Sequence, residues 1–107
     1  MNNIRLREKD LAYIIALFKK HYDEQQEHLW IFGSRVDVTK RGGDIDLYIE
    51  TLETDAKLAT EKRRKFLYAM HDALGDQKID IIINMIGSPY PELPIYKIAK
   101  ETGIQLV

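Results

Sequence analysis

The sequence contains no cysteine. A disulfide framework and any thiolate metal centre are therefore excluded, and a reducing interior is permitted. It also lacks an apolar run approaching the ~20 residues that span a bilayer. Met1-Asn2-Asn3-Ile4-Arg5 carries no signal-peptide apolar core, so a cytoplasmic location is the default expectation, with no membrane partner. Charge of one sign is lacking too: Lys and Arg total 16, Asp and Glu 17, for a net charge of −1. That balance argues against a broad basic surface for tracking DNA or RNA, so direct nucleic-acid binding is not expected. No repeat, low-complexity tract or linker interrupts the chain. Its 107 residues suit a single domain spanning 1–107, and 45% hydrophobic with 31% charged residues is a globular composition.

Periodicity supplies the elements. From about Glu8 to Tyr22, Leu11, Ile14, Ile15, Phe18 and Tyr22 recur at helical spacing. His28 to Phe32 reads as a strand ended by Gly33, and Asp44 to Glu50 as a second. Thr54 is the expected N-cap of a second helix that turns Leu58, Phe66, Met70 and Leu74 inward, with Gly75 just past its end. Ile79 to Asn84 is a third strand. Gly87-Ser88-Pro89-Tyr90-Pro91 is a loop by its turn chemistry. A last helix, Pro94 to Thr102, stops at Gly103 and leaves Ile104 to Val107 as a tail. The order α-β-β-α-β-α predicts an α/β fold. The helix-linked second and third strands should be parallel and the loop-linked first two antiparallel, giving a small mixed sheet with helices on one face.

The chemistry concentrates in two short stretches, Phe32-Gly33-Ser34-Arg35 and Gly43-Asp44-Ile45-Asp46-Leu47, with nine residues between Ser34 and Asp44. On a strand, Asp44 and Asp46 share one face while Ile45, Leu47 and Ile49 enter a core. Adjacent carboxylates repel and do nothing for folding unless a cation joins them. Oxygen-only ligands suit Mg²⁺, which takes one or two carboxylates plus substrate phosphates. Asp80 is a lone acid within Lys78-Ile79-Asp80-Ile81-Ile82-Ile83. If its strand lies beside that of Asp46, all three carboxylates can meet, since neighbouring strands are ~4.8 Å apart. Gly33 permits close backbone approach to a phosphate, and Ser34 begins a short helix whose amides would point at an anion. Each residue also has an ordinary explanation: solvent-facing strand acids, an edge-strand acid that deters aggregation, a common turn.

Gly33-Ser34, the nine-residue spacer, Asp44-x-Asp46 and a later strand aspartate, Asp80, together resemble the DNA polymerase beta-like nucleotidyltransferase superfamily. The short form of that superfamily, the minimal nucleotidyltransferase family, is most similar, over nearly the whole chain. The resemblance implies a minimal polymerase beta-type palm and nucleotidyl transfer with two Mg²⁺ ions held by Asp44, Asp46 and Asp80. Gly33 and Ser34 would seat the phosphates of ATP, with Arg35 as a further contact. Gly43 stands where the family pattern carries a small polar residue. Many such proteins are encoded beside a HEPN-domain protein and act with it as antitoxin and toxin, and the nucleotidyltransferase can transfer AMP from ATP to the toxin. A non-enzymatic antitoxin that blocks a HEPN ribonuclease by covering it is the alternative. Aminoglycoside-modifying relatives carry an extra acceptor domain for which 107 residues leave no room.

Other residues admit two readings. Arg35 offers a charge-assisted phosphate contact or is a plain surface arginine. Lys40 and Arg41 screen a triphosphate or are solvated. Glu50, about 13 Å along the strand from Asp46, is a rim residue rather than a ligand. His21, His28 and His71 show no metal spacing. Trp30 and Tyr48 stack on a base or fill a sheet core, the core being favoured for Trp30. Glu61-Lys62-Arg63-Arg64-Lys65 is a solvated face or a docking patch for an acidic partner. The apolar residues from Pro94 onward, with Tyr90, close the core or meet a partner protein or second copy.

Overall fold

The computed structural model describes residues 4–37 and 43–107. Lys40, Arg41 and Gly42 of the spacer lie outside the described residues. The elements are α1 (Glu8–His21), β1 (His28–Phe32), a 3₁₀ turn (Gly33–Val36), β2 (Ile45–Thr51), α2 (Ala56–Leu74), β3 (Ile79–Met85), α3 (Pro94–Thr102) and β4 (Ile104–Gln105). The fold is α/β, with a four-stranded mixed sheet of order β3-β2-β1-β4. β1 pairs antiparallel with β2, and β2 pairs parallel with β3 across α2, as the connection lengths dictate.

The period of two along each strand sorts side chains into two layers. Leu29 and Ile31 of β1, Ile45, Leu47 and Ile49 of β2, and Ile79 of β3 meet Ile14 and Phe18 of α1 and Phe66, Met70 and Leu74 of α2. Trp30, Phe32 and Tyr48 form a second, smaller core on the other side, closed by Ala99, Ile95 and Tyr96 of α3. The expected arrangement with every helix on one face is therefore corrected. β1 is apolar at nearly every position, which is the pattern of a strand covered on both faces.

Three local expectations are also corrected. Asp55, not Thr54, caps α2, its Oδ1 accepting from the amides of Lys57 (2.9 Å) and Leu58 (3.3 Å). Ala59 takes the inward position, and Leu58 is 54% exposed. The C-terminal tail forms β4, an antiparallel edge strand on β1, extended by the Leu106 amide donating to the Leu29 carbonyl at 2.7 Å. Gly103 permits this return: a Cβ there would lie 2.4 Å from the Ala99 carbonyl oxygen and 2.6 Å from that of Ile31, so only glycine lets α3 end against β1.

A buried carboxylate holds the end of β2. Glu27 is 4% exposed and accepts from the Thr51 hydroxyl and from the amides of Asp23 (2.8 Å) and Leu52 (3.1 Å). Burial raises its pKa, but these donors and the Lys62 ammonium outweigh burial and leave it below its ordinary value of 4.5. An acid with a depressed folded pKa stabilises fully above its unfolded value and loses that contribution as pH falls through the folded one. Glu27→Gln should therefore cost about 1.5–3 kcal/mol at pH 7. The gap from the parent in urea unfolding should close below pH 4.5.

Candidate functional site

The sheet face that carries the second core also carries the acids. In the β2–β3 register Asp46 stands directly opposite Asp80, with Ile45 opposite Ile79 and Leu47 opposite Ile81 on the reverse face. Asp44 lies one residue ahead of β2, two positions from Asp46. The structure thus places the three acids expected from the sequence near one end of the β2–β3 pair. Asp46 is half-buried, and Asp80 is exposed at the edge strand.

Charge at the site is coupled. Burial, then the Asp80 carboxylate, then the Asp44 carboxylate push the Asp46 pKa above its ordinary value, while Lys78 pulls it down. Lys78 Nζ lies 3.4 Å from Asp44 Oδ2. Among the described residues, no three His, Asp or Glu side chains stand at metal-ligating distance from one another. The donor set nevertheless fits a hard divalent cation. It is all oxygen and partly solvated.

The turn after β1 abuts these acids. Phe32 pairs with Asp46 across β1 and β2, so Gly33 follows at the level of the carboxylate. Gly33 has φ +76°, and a Cβ there would fall 2.5 Å from Asp46 Oδ2. The positive φ favours glycine, and a side chain there would displace the Asp46 carboxylate. Gly43, φ +91°, meets the same turn from the other side: a Cβ would sit 2.2 Å from Ser34 Oγ. A small polar residue has no room there, which accounts physically for glycine. The 3₁₀ turn opens on Gly33, one residue ahead of the expected Ser34, whose hydroxyl donates to the Asp44 carbonyl at 3.4 Å. Gly33, Ser34 and the acids are thus one contiguous unit.

Arg35 is partly buried and joins the turn to the N-terminal segment. Its Nη1 donates to the Arg5 carbonyl at 2.7 Å, and the Arg5 amide donates to the Arg35 carbonyl at 2.7 Å. Arg5 in turn donates from Nη2 to the Ser34 carbonyl at 2.6 Å. Arg35 clamps the N-terminal segment to the turn and so fixes Gly33 and Ser34.

Glu50 is not a fourth ligand. Its Oε2 accepts from the Tyr48 hydroxyl at 2.9 Å and pairs with Lys100 at 3.0 Å. Trp30 and Tyr48 are core residues, 7% and 0% exposed. The three histidines are dispersed, His28 facing the Val107 carbonyl and His71 the Gly75 carbonyl. Sequence reasoning missed Asn84, whose Nδ2 donates to the Tyr48 hydroxyl at 3.1 Å and to Glu92 Oε1 at 3.2 Å. Its signal was its spacing, four residues after Asp80 on the same face of a strand otherwise rich in isoleucine. Beside this network opens a cleft of about 720 Å³, lined by Tyr48, Glu50, Glu92, Leu93, Tyr96 and Lys100 among others.

No family model matches the chain, and no curated protein matches it.

The raised Asp46 pKa has a consequence for stability. An acid held above its unfolded value costs the fold nothing at low pH and weakens it once pH rises through the folded value. Asp46→Asn should therefore raise the melting temperature at pH 7 without divalent ions, and by less at pH 3. Mg²⁺ at millimolar concentration should raise the melting temperature of the parent and leave Asp46→Asn nearly unmoved. Differential scanning fluorimetry at both pH values reads this directly.

Proposed function

We propose that the chain is a Mg²⁺-dependent nucleotidyltransferase that moves a nucleoside monophosphate, AMP from ATP, onto a hydroxyl of a partner protein. In this reading it is the antitoxin of a HEPN-domain toxin. The observation that carries the catalytic part is the pairing of Asp46 with Asp80, with Gly33 pressed against the Asp46 carboxylate. A strand pair that places like charges opposite each other is costly unless a cation uses it. Glycine at the same point leaves the approach to those charges open. The identity of the partner follows from the family that the motif resembles.

Asp44, Asp46 and Asp80 would hold two Mg²⁺ ions, which when bound stabilise attacking and leaving oxygens and lower the pKa of an acceptor hydroxyl. The protein's own part is positioning. The Gly33–Ser34 turn presents backbone amides and one hydroxyl to phosphate oxygens. Exposed Asp80, on the edge strand, is the carboxylate an acceptor hydroxyl can reach, and it can take that hydroxyl's proton. The hydroxyl oxygen bonds to the α-phosphorus, and pyrophosphate leaves from the Gly33–Ser34 side.

A second reading, a non-catalytic antitoxin that covers its toxin, draws support from Lys78. This cation of the chain itself already neutralises Asp44.

Labelled ATP, Mg²⁺ and the neighbour-encoded protein separate the two. The first reading expects label on a hydroxyl residue of the neighbour. Asp46→Asn and Asp80→Asn should lower the rate at least about a hundredfold, in line with loss of a preorganised electrostatic group. Ser34→Ala removes one neutral hydrogen-bond donor, worth ~1 kcal/mol, and should lower kcat/KM about fivefold. Co-elution with loss of the neighbour's nuclease activity, but without label, would establish the second reading.

A further inference from the structure

The α1/α2 side of the molecule, opposite the acids, gathers positive charge from two helices. α1 ends on Lys19, Lys20 and His21, and α2 carries Lys62, Arg63, Arg64 and Lys65. Packing α1 against α2 places Lys20 and His21 beside Lys62 and Lys65 around a cavity of about 360 Å³, whose walls also include Leu58, Glu53 and Glu61. The α2 run alone could be a solvated face. The fold adds cations from a second element and a concave shape.

The two acids at the rim are already engaged. Glu61 Oε1 accepts from Arg64 Nη2 at 2.6 Å. Glu53 Oε2 accepts from the amides of Thr54 (3.1 Å) and Asp55 (3.2 Å). Lys62 is anchored over the Tyr22 ring, 5.1 Å from its centroid, and lies 4.0 Å from buried Glu27. Lys20 and Lys65 pair with no carboxylate among the described residues. Burial, then the charges of Lys20 and Lys65, push the His21 pKa below its ordinary value. Leu58, 54% exposed, adds an unpartnered apolar side chain.

We propose that this notch docks an acidic peptide segment of a partner protein, with carboxylates on Lys20 and Lys65 and one apolar side chain on Leu58. Charge complementarity selects the acid. Leu58 selects a peptide over a phosphate chain, which has nothing to place on it. Lysine ammoniums suit single carboxylates as point charges, and Arg63 and Arg64, the residues fit for bidentate phosphate, do not line the cavity. The notch and the aspartates lie on opposite faces of the sheet, so a docked segment leaves Asp46 and Asp80 open. The proposal is independent of whether those aspartates are catalytic.

The test titrates the ¹⁵N-labelled full chain, at low salt, with a synthetic Glu-Glu-Leu-Glu-Asp peptide. Amide shifts should cluster at Lys20, His21, Leu58 and Lys65. Lys20→Gln/Lys65→Gln should weaken binding about tenfold, Leu58→Ser several-fold, and added salt should weaken it further. Parallel titrations use tripolyphosphate and a single-stranded RNA. Shifts centred elsewhere, or an unchanged Kd in the glutamine double variant, would overturn the site. Equal or tighter binding of tripolyphosphate or RNA, insensitive to Leu58→Ser, would overturn the peptide. All these substitutions are at surface positions, and melting curves matched to the parent confirm that each variant is folded.

Discussion

The site depends on one juxtaposition, Asp46 beside Asp80 on adjacent parallel strands. Two like charges ~4 Å apart repel by about 1 kcal/mol in water and about 4 kcal/mol near a protein surface. The reverse face of the same strands sets the opposing term. Ile45, Leu47 and Ile49 are fully buried there, and Ile79 nearly so, at about 1.5–3 kcal/mol each. Burial wins, and it also fixes the register. A one-residue slip of β2 would turn Ile45, Leu47 and Ile49 to the acid face and Asp46 to the core. The hydrophobic layer under α1 and α2 thus forces the carboxylates together on the other side.

The turn after β1 completes the unit through contacts of a different kind. Gly33 is seated by its positive φ and by the Asp46 carboxylate, and Gly43 by the Ser34 hydroxyl. Arg5 and Arg35 then lock the turn from behind, each guanidinium donating to a main-chain carbonyl and the Arg5 amide donating to the Arg35 carbonyl. A site on a turn is rigid only if a supporting layer holds it. Here the N-terminal segment ahead of α1 is that layer, held to the turn by Arg35 and Arg5. On the same face the Tyr48, Asn84 and Glu92 bonds tie the middle of the sheet to the segment before α3.

Much of this was legible in the chain because periodicity and turn chemistry are local. β1 and α3 fall where the sequence puts them, and the β2–β3 crossover is parallel because its helix is long enough. The alternation Asp44, Asp46 against Ile45, Leu47 was sufficient to put the acids on one face. What escaped depends on tertiary contacts. The Asp55 cap competes with Thr54 only one residue away, and the amides of Lys57 and Leu58 decide it. β4 is two residues long and exists only because β1 offers an edge. The second core was foreshadowed by the unbroken apolar run of β1, but which helix covers it is a matter of chain path. The direction of Arg35 follows from Arg5, 30 residues distant, which no local pattern encodes.

The central claim is that Asp44, Asp46 and Asp80 hold a divalent cation where the Gly33–Ser34 turn holds phosphate. Substoichiometric Mn²⁺ added with ATP to the ¹⁵N-labelled chain tests both halves at once through paramagnetic line broadening. The expected result is loss of amide signals at Gly33, Ser34, Asp44 to Leu47 and Asp80, with α1 and the far end of α2 unaffected, and no such pattern in Asp46→Asn. Broadening centred instead on Glu50 and Glu92, or spread evenly over the surface acids, would contradict it.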